Sequence, residues 1–324
     1  MSGRFAPSPT GTLHLGNLRT ALLAWLAAQS TGIDFIVRME DLDRVQAAPE
    51  HEATQLADLA AIGIDWSGDV VRQSERFDLY RDALATLRSR DLVYECFCSR
   101  REVRAEIENS PHAPHLAPGS YPGTCRTLTS TRRQRYLDDG RTPAIRLRAD
   151  ESMAATPSLI EFTDLVAGDA VGGVDDVVLQ RNDGVPAYNL AVVVDDALQG
   201  VTQVIRGDDL LSSTPRQIHL QRLLGLATPI YGHVPLVMGD DGERLSKRHG
   251  SVTLAELGDA GAPTALVVAE LLRSFGCELD ASSDVSSLLS GVASSFVIGA
   301  ITPGEAVYSP DPDAPAAFTL RNAR

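Results

Sequence analysis

A histidine two residues ahead of a glycine, where an extended run meets a helical one, is an arrangement that could hold phosphate. Here it is His14-Leu15-Gly16-Asn17, preceded by Pro7-Ser8-Pro9-Thr10-Gly11. A helix N-terminus presents unpaired N–H groups and the positive end of its dipole. Gly16 would let a phosphate approach the backbone, and His14 could donate to charge developing on a phosphoryl group. Taken alone, these four residues fit better with a turn histidine beside a helix cap, with Asn17 as the cap. A second stretch lies far along the chain, Met238-Gly239-Asp240-Asp241-Gly242-Glu243-Arg244-Leu245-Ser246-Lys247-Arg248-His249-Gly250, rich in glycine and charge. Lys247 is a point charge suited to a triphosphate. Loops of this kind can close over a transition state and open afterwards. The plain alternative is a solvated basic turn.

The elements around these residues read as α/β. Arg4–Ser8 predicts a short strand running into the Pro9-Thr10-Gly11 turn. Leu18, Ala21, Leu22, Trp25 and Leu26 recur at helical spacing, and Gly32 is a plausible stop. Ile33–Met39 is an apolar, β-branched run fit for a buried parallel strand. Strand, turn, helix, strand opens a doubly wound, Rossmann-like domain, whose ligands bind at the carboxyl ends of the strands. Arg4 and Glu40 stand at two such ends. Residues 51–62, 77–89 and 217–226 predict helices. Residues 143–180 predict short strands, 188–194 a buried strand or helix, and 204–207 a strand entering a turn. The chain turns helical again from about residue 254. We expect four segments: 1–92, the first half of the catalytic domain; 93–187, an inserted α+β subdomain; 188–238, the second half; and 239–324, the lysine loop with a helical region.

The net charge of −14 argues against broad non-specific binding of nucleic acid, DNA included. It leaves room for a local basic groove. Arg100, Arg101, Arg104, Arg126, Arg132, Arg133, Arg135, Arg141 and Arg146 crowd into 99–147 and form either a phosphate-facing surface or a solvated arginine face. No apolar run spans a bilayer and no signal peptide precedes the first strand, so a cytoplasmic protein is the expectation. Three of the four cysteines cluster at Cys96, Cys98 and Cys125. In a cytoplasmic chain that suggests a metal before a disulfide. A structural zinc ion takes four ligands, and the fourth could be Tyr121, His112 or His115.

The residues also carry a resemblance. His14–Asn17 resembles the HIGH signature of class I aminoacyl-tRNA synthetases, and Arg244–Arg248 resembles their KMSKS loop. Arg4-Phe5-Ala6-Pro7-Ser8-Pro9-Thr10-Gly11 is similar to the opening of the glutamyl-specific members, and Asp183–Ala191 and Ile205–Leu210 match them as well. Asn17 replaces the second histidine of HIGH, Arg244 the first lysine of KMSKS and Leu245 its methionine, while Lys247 is intact. The resemblance implies attack by the α-carboxylate of L-glutamate on the α-phosphate of ATP, which enters with Mg2+. It implies His14, Gly16, Asn17, Arg244, Ser246 and Lys247 around ATP, with His14, Asn17 and Lys247 carrying the chemistry. It places Arg4, Phe5, Ala6, Pro7, Ser8, Glu40, Tyr188 and Arg206 around glutamate, with Glu40 meeting the ammonium group. An arginine fork suits a planar carboxylate; the alternative for Arg206 is an ion pair with Asp208 or Asp209. The C-x-C…Y-x-x-x-C order implies one structural zinc ion on Cys96, Cys98, Tyr121 and Cys125.

We expect no counterpart of the helical anticodon-binding domain that full glutamyl-tRNA synthetases carry. In this it resembles the short paralogues that join glutamate to queuosine in the anticodon loop of tRNA(Asp). The expected partners are then ATP, L-glutamate and queuosine-containing tRNA(Asp), with no membrane, and the expected state is a monomer. The alternatives are a truncated or split enzyme that charges tRNA(Glu), a nucleotidyltransferase of the same superfamily, and an inactive RNA-binding relative.

Overall fold

The computed structural model describes residues 1–109, 121–149, 158–245, 252–277, 279, 284–301, 303–304, 306–310 and 318–322. The chain opens with β1 (Ser2–Phe5), α1 (Leu15–Thr31), β2 (Asp34–Met39), α2 (Pro49–Ala61), β3 (Val71–Arg72), α3 (Phe77–Ser89) and β4 (Val93–Cys96). It continues with α4 (Arg100–Asn109), α5 (Ser130–Asp138), β5 (Ala144–Leu147), β6 (Ser158–Asp164), β7 (Gly168–Val174), β8 (Val178–Gln180), α6 (Tyr188–Leu198) and β9 (Val201–Gly207). Then follow α7 (Thr214–Leu224), β10 (Ile230–Val234), β11 (Val237–Met238), α8 (Leu254–Asp259), α9 (Thr264–Arg273), α10 (Val285–Ala293), β12 (Ala306–Pro310) and β13 (Phe318–Asn322).

The main sheet has seven strands in the order β3-β2-β1-β9-β10-β6-β7. All neighbours are parallel except β6–β7, an antiparallel hairpin at the edge. Apolar side chains pack on both faces, as buried parallel strands require. One buried cluster gathers α1 with Leu59, Val267, Leu271 and Leu289 of α2, α9 and α10. The other gathers Leu84, Leu87, Val192, Val193, Ile218 and Leu220 of α3, α6 and α7. α1 is apolar on nearly every side, the pattern of a helix enclosed by its domain, and it stops at Gly32, whose φ of 66° is a left-handed cap.

The sheet order changes direction at β1, with β2 on one side and β9 on the other. A crevice at such a switch point is where doubly wound sheets bind ligands. The β-runs expected in 143–180 are present, but they divide between two sheets. β4, β5 and β8 make a small separate sheet, whereas β6 and β7, which the sequence placed with the insertion, join the main sheet through β10. Residues 188–194 are helical. The region after 239, expected to be helical, also carries the hairpin β12–β13, and β12 pairs in parallel with β11. The alternation of Val307, Tyr308, Thr319 and Leu320 is too short, beside Pro and Asp, to announce that hairpin.

Candidate active site

A cleft of about 570 Å³ opens at the carboxyl ends of β1, β2 and β9. That size suits a nucleotide-scale or smaller ligand. Its walls include Arg4, Phe5, Ala6, Pro7 and Ser8, together with His14, Gly16 and Asn17, and Glu40, Tyr188, Arg206 and Arg244. Every expected ligand-site residue within the described part of the chain therefore lines one cavity. Ser246 and Lys247 lie outside the described residues.

The turn between β1 and α1 is built by hydrogen bonds. Gln55 of α2, 1 % exposed, donates to the carbonyls of Ser8 (3.1 Å) and Gly11 (2.7 Å) and clamps the turn from below. The helix cap is His14, not Asn17 as the sequence suggested. Its Nδ1 accepts from Gly16 N at 3.1 Å, and Asn17 Oδ1 accepts from His14 N at 3.1 Å. This reciprocal arrangement places Asn17 at the third helical position, where a capping-box partner belongs. A side chain that reaches back in this way needs an acceptor oxygen, which asparagine supplies. Because Nδ1 accepts, the proton of the neutral ring is on Nε2, the donor left for a ligand. Burial, then the nearby Arg244, lowers the His14 pKa from 6.5 to about 4, so the ring is neutral near pH 7. A Cβ on Gly16 would stand 3.0 Å from His14 Cε1 and Nδ1, so a side chain there would press on the imidazole folded against the helix start.

The distant loop returns to this turn. Leu245 N donates to Val237 O at 2.9 Å and its side chain is buried, which explains why an apolar residue stands there. On the far side of the loop, Leu15 N donates to Val252 O at 2.8 Å, and His14 bridges to Thr253. Both flanks of the 246–251 segment are thus fixed next to the His14 turn. Arg244, at the rim, pairs with Asp209 at 2.9 Å.

Deeper in the cleft lies a network of charges that the sequence reading missed. Arg38 is completely buried and bonds Asp196 (2.8 Å), Glu40 (3.3 Å) and Gln199 (2.9 Å). Arg4 stands 3.5 Å from Asp196. Asp195 accepts from Arg76 (2.7 Å), Tyr80 (2.7 Å) and Gln73 (3.0 Å). Burial raises the Glu40 pKa, against the pull of Arg38 and Arg4. Burial also works on Asp196, but Arg38, Arg4 and Arg206 hold its pKa below the usual value. The clue was in plain sight: charges embedded in apolar runs, Arg38 within Ile33–Met39 and Asp195-Asp196 directly after Val192-Val193-Val194. Buried charge persists only when paired.

Arg206 differs from its neighbours. It is 4 % exposed and is held by neutral groups: His233 Nε2 (3.0 Å), Gln217 Oε1 (2.8 Å), Thr214 Oγ1 (2.8 Å) and, at 3.5 Å, Tyr188 Oη. Among the described residues no carboxylate lies within ion-pair distance of it, so it does not pair with Asp208 or Asp209.

The cysteines meet as expected. The sulfurs of Cys96, Cys98 and Cys125 lie within 4.8 Å of one another. Tyr121 Oη sits 3.4 Å from Cys96 Sγ and 3.5 Å from Cys98 Sγ, and accepts from Cys125 N at 2.9 Å. Tetrahedral zinc with bonds of about 2.3 Å separates its sulfurs by about 3.8 Å, so the cluster fits such an ion. The guanidinium of Arg146 lies 3.7 Å over the Tyr121 ring. His112 and His115 fall outside the described residues. Beside this cluster a second groove, of about 1410 Å³, is lined by Arg100, Arg101, Arg104, Arg141, Arg146 and Arg181. No helix among the described residues is long and apolar enough to cross a membrane.

Comparison with known proteins agrees with this geometry. A family model described as tRNA synthetases class I (E and Q), catalytic domain, matches residues 1–297. The chain is 55 % identical over 275 residues to a protein of Nocardia farcinica named glutamyl-Q tRNA(Asp) synthetase, covering 85 % of each chain. It is 54 % identical over 294 residues to one of Cutibacterium acnes with the same name, covering 90 % of this chain and 80 % of that one. A glutamate–tRNA ligase of Oleidesulfovibrio alaskensis is 44 % identical over 268 residues, 82 % of this chain but 55 % of the ligase. The structure superposes with a TM-score of 0.78 on a glutamate tRNA ligase from Elizabethkingia meningosepticum solved with its amino acid, at 27 % identity, covering 95 % of this chain and 67 % of that one. The chain belongs to the class I aminoacyl-tRNA synthetase family of glutamate and glutamine enzymes and, within it, to the glutamyl-Q tRNA(Asp) synthetases.

Proposed function

We propose that this chain is a ligase that activates glutamate with ATP and transfers the glutamyl group to queuosine in the anticodon loop of tRNA(Asp). The observation that carries the choice of substrate is Arg206, a buried cation on the cleft wall held, among the described residues, by neutral groups. Its charge asks for an anionic ligand, which a glutamate side chain supplies and a glutamine side chain does not. The names of the relatives support the acceptor.

In this reading Arg206 and Tyr188 take the side-chain carboxylate, while Arg4–Ser8 and Glu40 frame the α-carboxylate and the ammonium group. ATP lies along His14, Gly16, Asn17 and Arg244, with Ser246 and Lys247 completing its site; Mg2+ accompanies the triphosphate. The α-carboxylate oxygen attacks the α-phosphorus, pyrophosphate departs, and the acceptor on queuosine then displaces AMP from the glutamyl carbonyl. No side chain need become covalently attached. Positioning and charge stabilisation supply the rate. The neutral His14 ring, with its Nε2–H, donates to phosphate without adding a charge that must be desolvated. Cys96, Cys98, Cys125 and Tyr121 would hold one zinc ion, which would tie β4 to the 121–125 turn. The arginine-lined groove is the surface suited to RNA phosphates. A monomer working in the cytoplasm, where ATP and tRNA meet, completes the reading.

The test is to supply ATP, labelled glutamate and separate tRNA pools. Label on queuosine-containing tRNA(Asp) and none on tRNA(Glu) is the expected result; label at the 3′ end of tRNA(Glu) overturns the acceptor. The 44 % identity to a glutamate–tRNA ligase is what favours that second outcome. Lys247→Ala should abolish glutamate-dependent pyrophosphate exchange, and unchanged exchange removes Lys247 from the ATP site.

A further inference from the structure

Behind Arg206 runs a line of buried polar groups, His233 and Asp164, that are not among the residues lining the cleft. Arg206 on β9 and His233 on β10 are directly paired in the parallel register, so their side chains share a face. His233 Nδ1 lies 2.6 Å from Asp164 Oδ2 at the end of β6, and neither side chain is exposed. Asp164 Oδ1 accepts from three backbone donors, His233 N (3.0 Å), Val166 N (3.0 Å) and Ala167 N (2.9 Å). The polarity of the line then follows atom by atom. Nδ1–H of His233 donates to the carboxylate, which leaves Nε2 to accept from Arg206 Nε at 3.0 Å. The Thr214 hydroxyl lies 3.1 Å from the same nitrogen.

We propose that Asp164 and His233 are a positioning pair that fixes the plane of the Arg206 guanidinium, and through it the grip on the substrate's side-chain carboxylate. The proposal rests on the reading of Arg206 given above. Two features suit the pair to this work. His233 gives Arg206 Nε an acceptor without giving it a negative charge, so the cation stays available to the ligand. The state of the pair is also held: burial lowers the His233 pKa although Asp164 opposes it, and Asp164 is kept at about 2 by its hydrogen bonds with His233 and with three backbone N–H groups, despite its burial.

Asp164→Asn tests the pair with little change of shape. The three backbone donors require oxygen at the Oδ1 position, so the new amide NH2 must face His233 Nδ1. The ring then becomes an acceptor at Nδ1 and a donor at Nε2, and its N–H points at the N–H of Arg206. Facing donors in a buried site should raise the glutamate KM in pyrophosphate exchange about tenfold to a hundredfold, with kcat and the KM for ATP changed less than about threefold. His233→Leu, which removes the acceptor, should raise KM in the same way. His233→Gln, which restores an acceptor oxygen toward Arg206, should recover most of the loss. A glutamate KM like that of the wild type in both folded Asp164→Asn and His233→Leu overturns the pair's role, as does a His233→Gln enzyme as impaired as His233→Leu. Wild-type enzyme that shows no exchange with glutamate overturns the reading of Arg206 and the pair with it.

Discussion

Arg206→Gln is the sharpest single perturbation of the cleft. The guanidinium is buried, and its described partners are His233, Gln217, Thr214 and Tyr188, none of them charged. A substrate carboxylate would therefore meet a cation with no carboxylate in contact among the described residues, although the field of buried Asp196 reaches it. At 4 Å in a medium of effective dielectric near 20 the attraction is about 4 kcal/mol, and the desolvation of the carboxylate offsets part of it. A charge-assisted hydrogen bond is worth about 1.5–3 kcal/mol net. Taking about 3 kcal/mol, kcat/KM for glutamate should fall about 150-fold, whereas that for glutamine should not fall at all. The assay is pyrophosphate exchange driven by each amino acid in turn, with the KM for ATP and the thermal midpoint confirming an intact fold. A loss of less than about fivefold for glutamate in a folded variant refutes the reasoning, because even one charge-assisted hydrogen bond exceeds that. A parallel loss for both amino acids also refutes it, since that would make Arg206 a general support of the site.

Further outcomes follow from the other parts of the site. Asn17→Ala removes the oxygen that accepts from His14 N and should cost about 1 kcal/mol in urea denaturation; it should also slow exchange, because the ring that the cap orients lines the cleft. The His14 pKa falls from 6.5 in the unfolded chain to about 4 in the folded one. The unfolded chain therefore binds the proton first, and the stability this group gives is complete above pH 6.5 and lost as pH falls toward 4. His14→Gln should flatten that part of the stability profile, as urea midpoints at pH 7 and pH 5 would show. Purified protein should carry one zinc per chain by elemental analysis, and chelation should lower the thermal midpoint; Cys125→Ser should do the same without added chelator.

Much of the site was legible because its chemistry needs particular residue types in order. The strand ends at Arg4 and Glu40 and the three converging cysteines could be placed from pattern, whereas the turn at His14–Asn17 and Arg206 before Gly207 took their meaning from the family resemblance. What pattern could not show was which polar residues would serve as supports. Asp164, His233, Asp195 and Asp196 matter through contacts made across β6, β9, β10 and α6, and such pairings leave no periodicity in a linear sequence. Asn17 was misread for a related reason: the cap could have been either residue, and only the direction of the His14 side chain decides. The C-terminal hairpin was hidden because its strands are five residues each and rest on β11, which has two.

The edge hairpin β6–β7 limits how this enzyme can be taken apart. By chain order it belongs with 93–187, and a modular view would let that block be exchanged between relatives as one cassette. By hydrogen bonding it belongs to the main sheet, and it delivers Asp164 to His233. A chimera cut at 93 and 187 therefore replaces the footing of Arg206 along with the lobe that carries the cysteine cluster. A graft that spares selectivity has to leave residues 158–174 in the host.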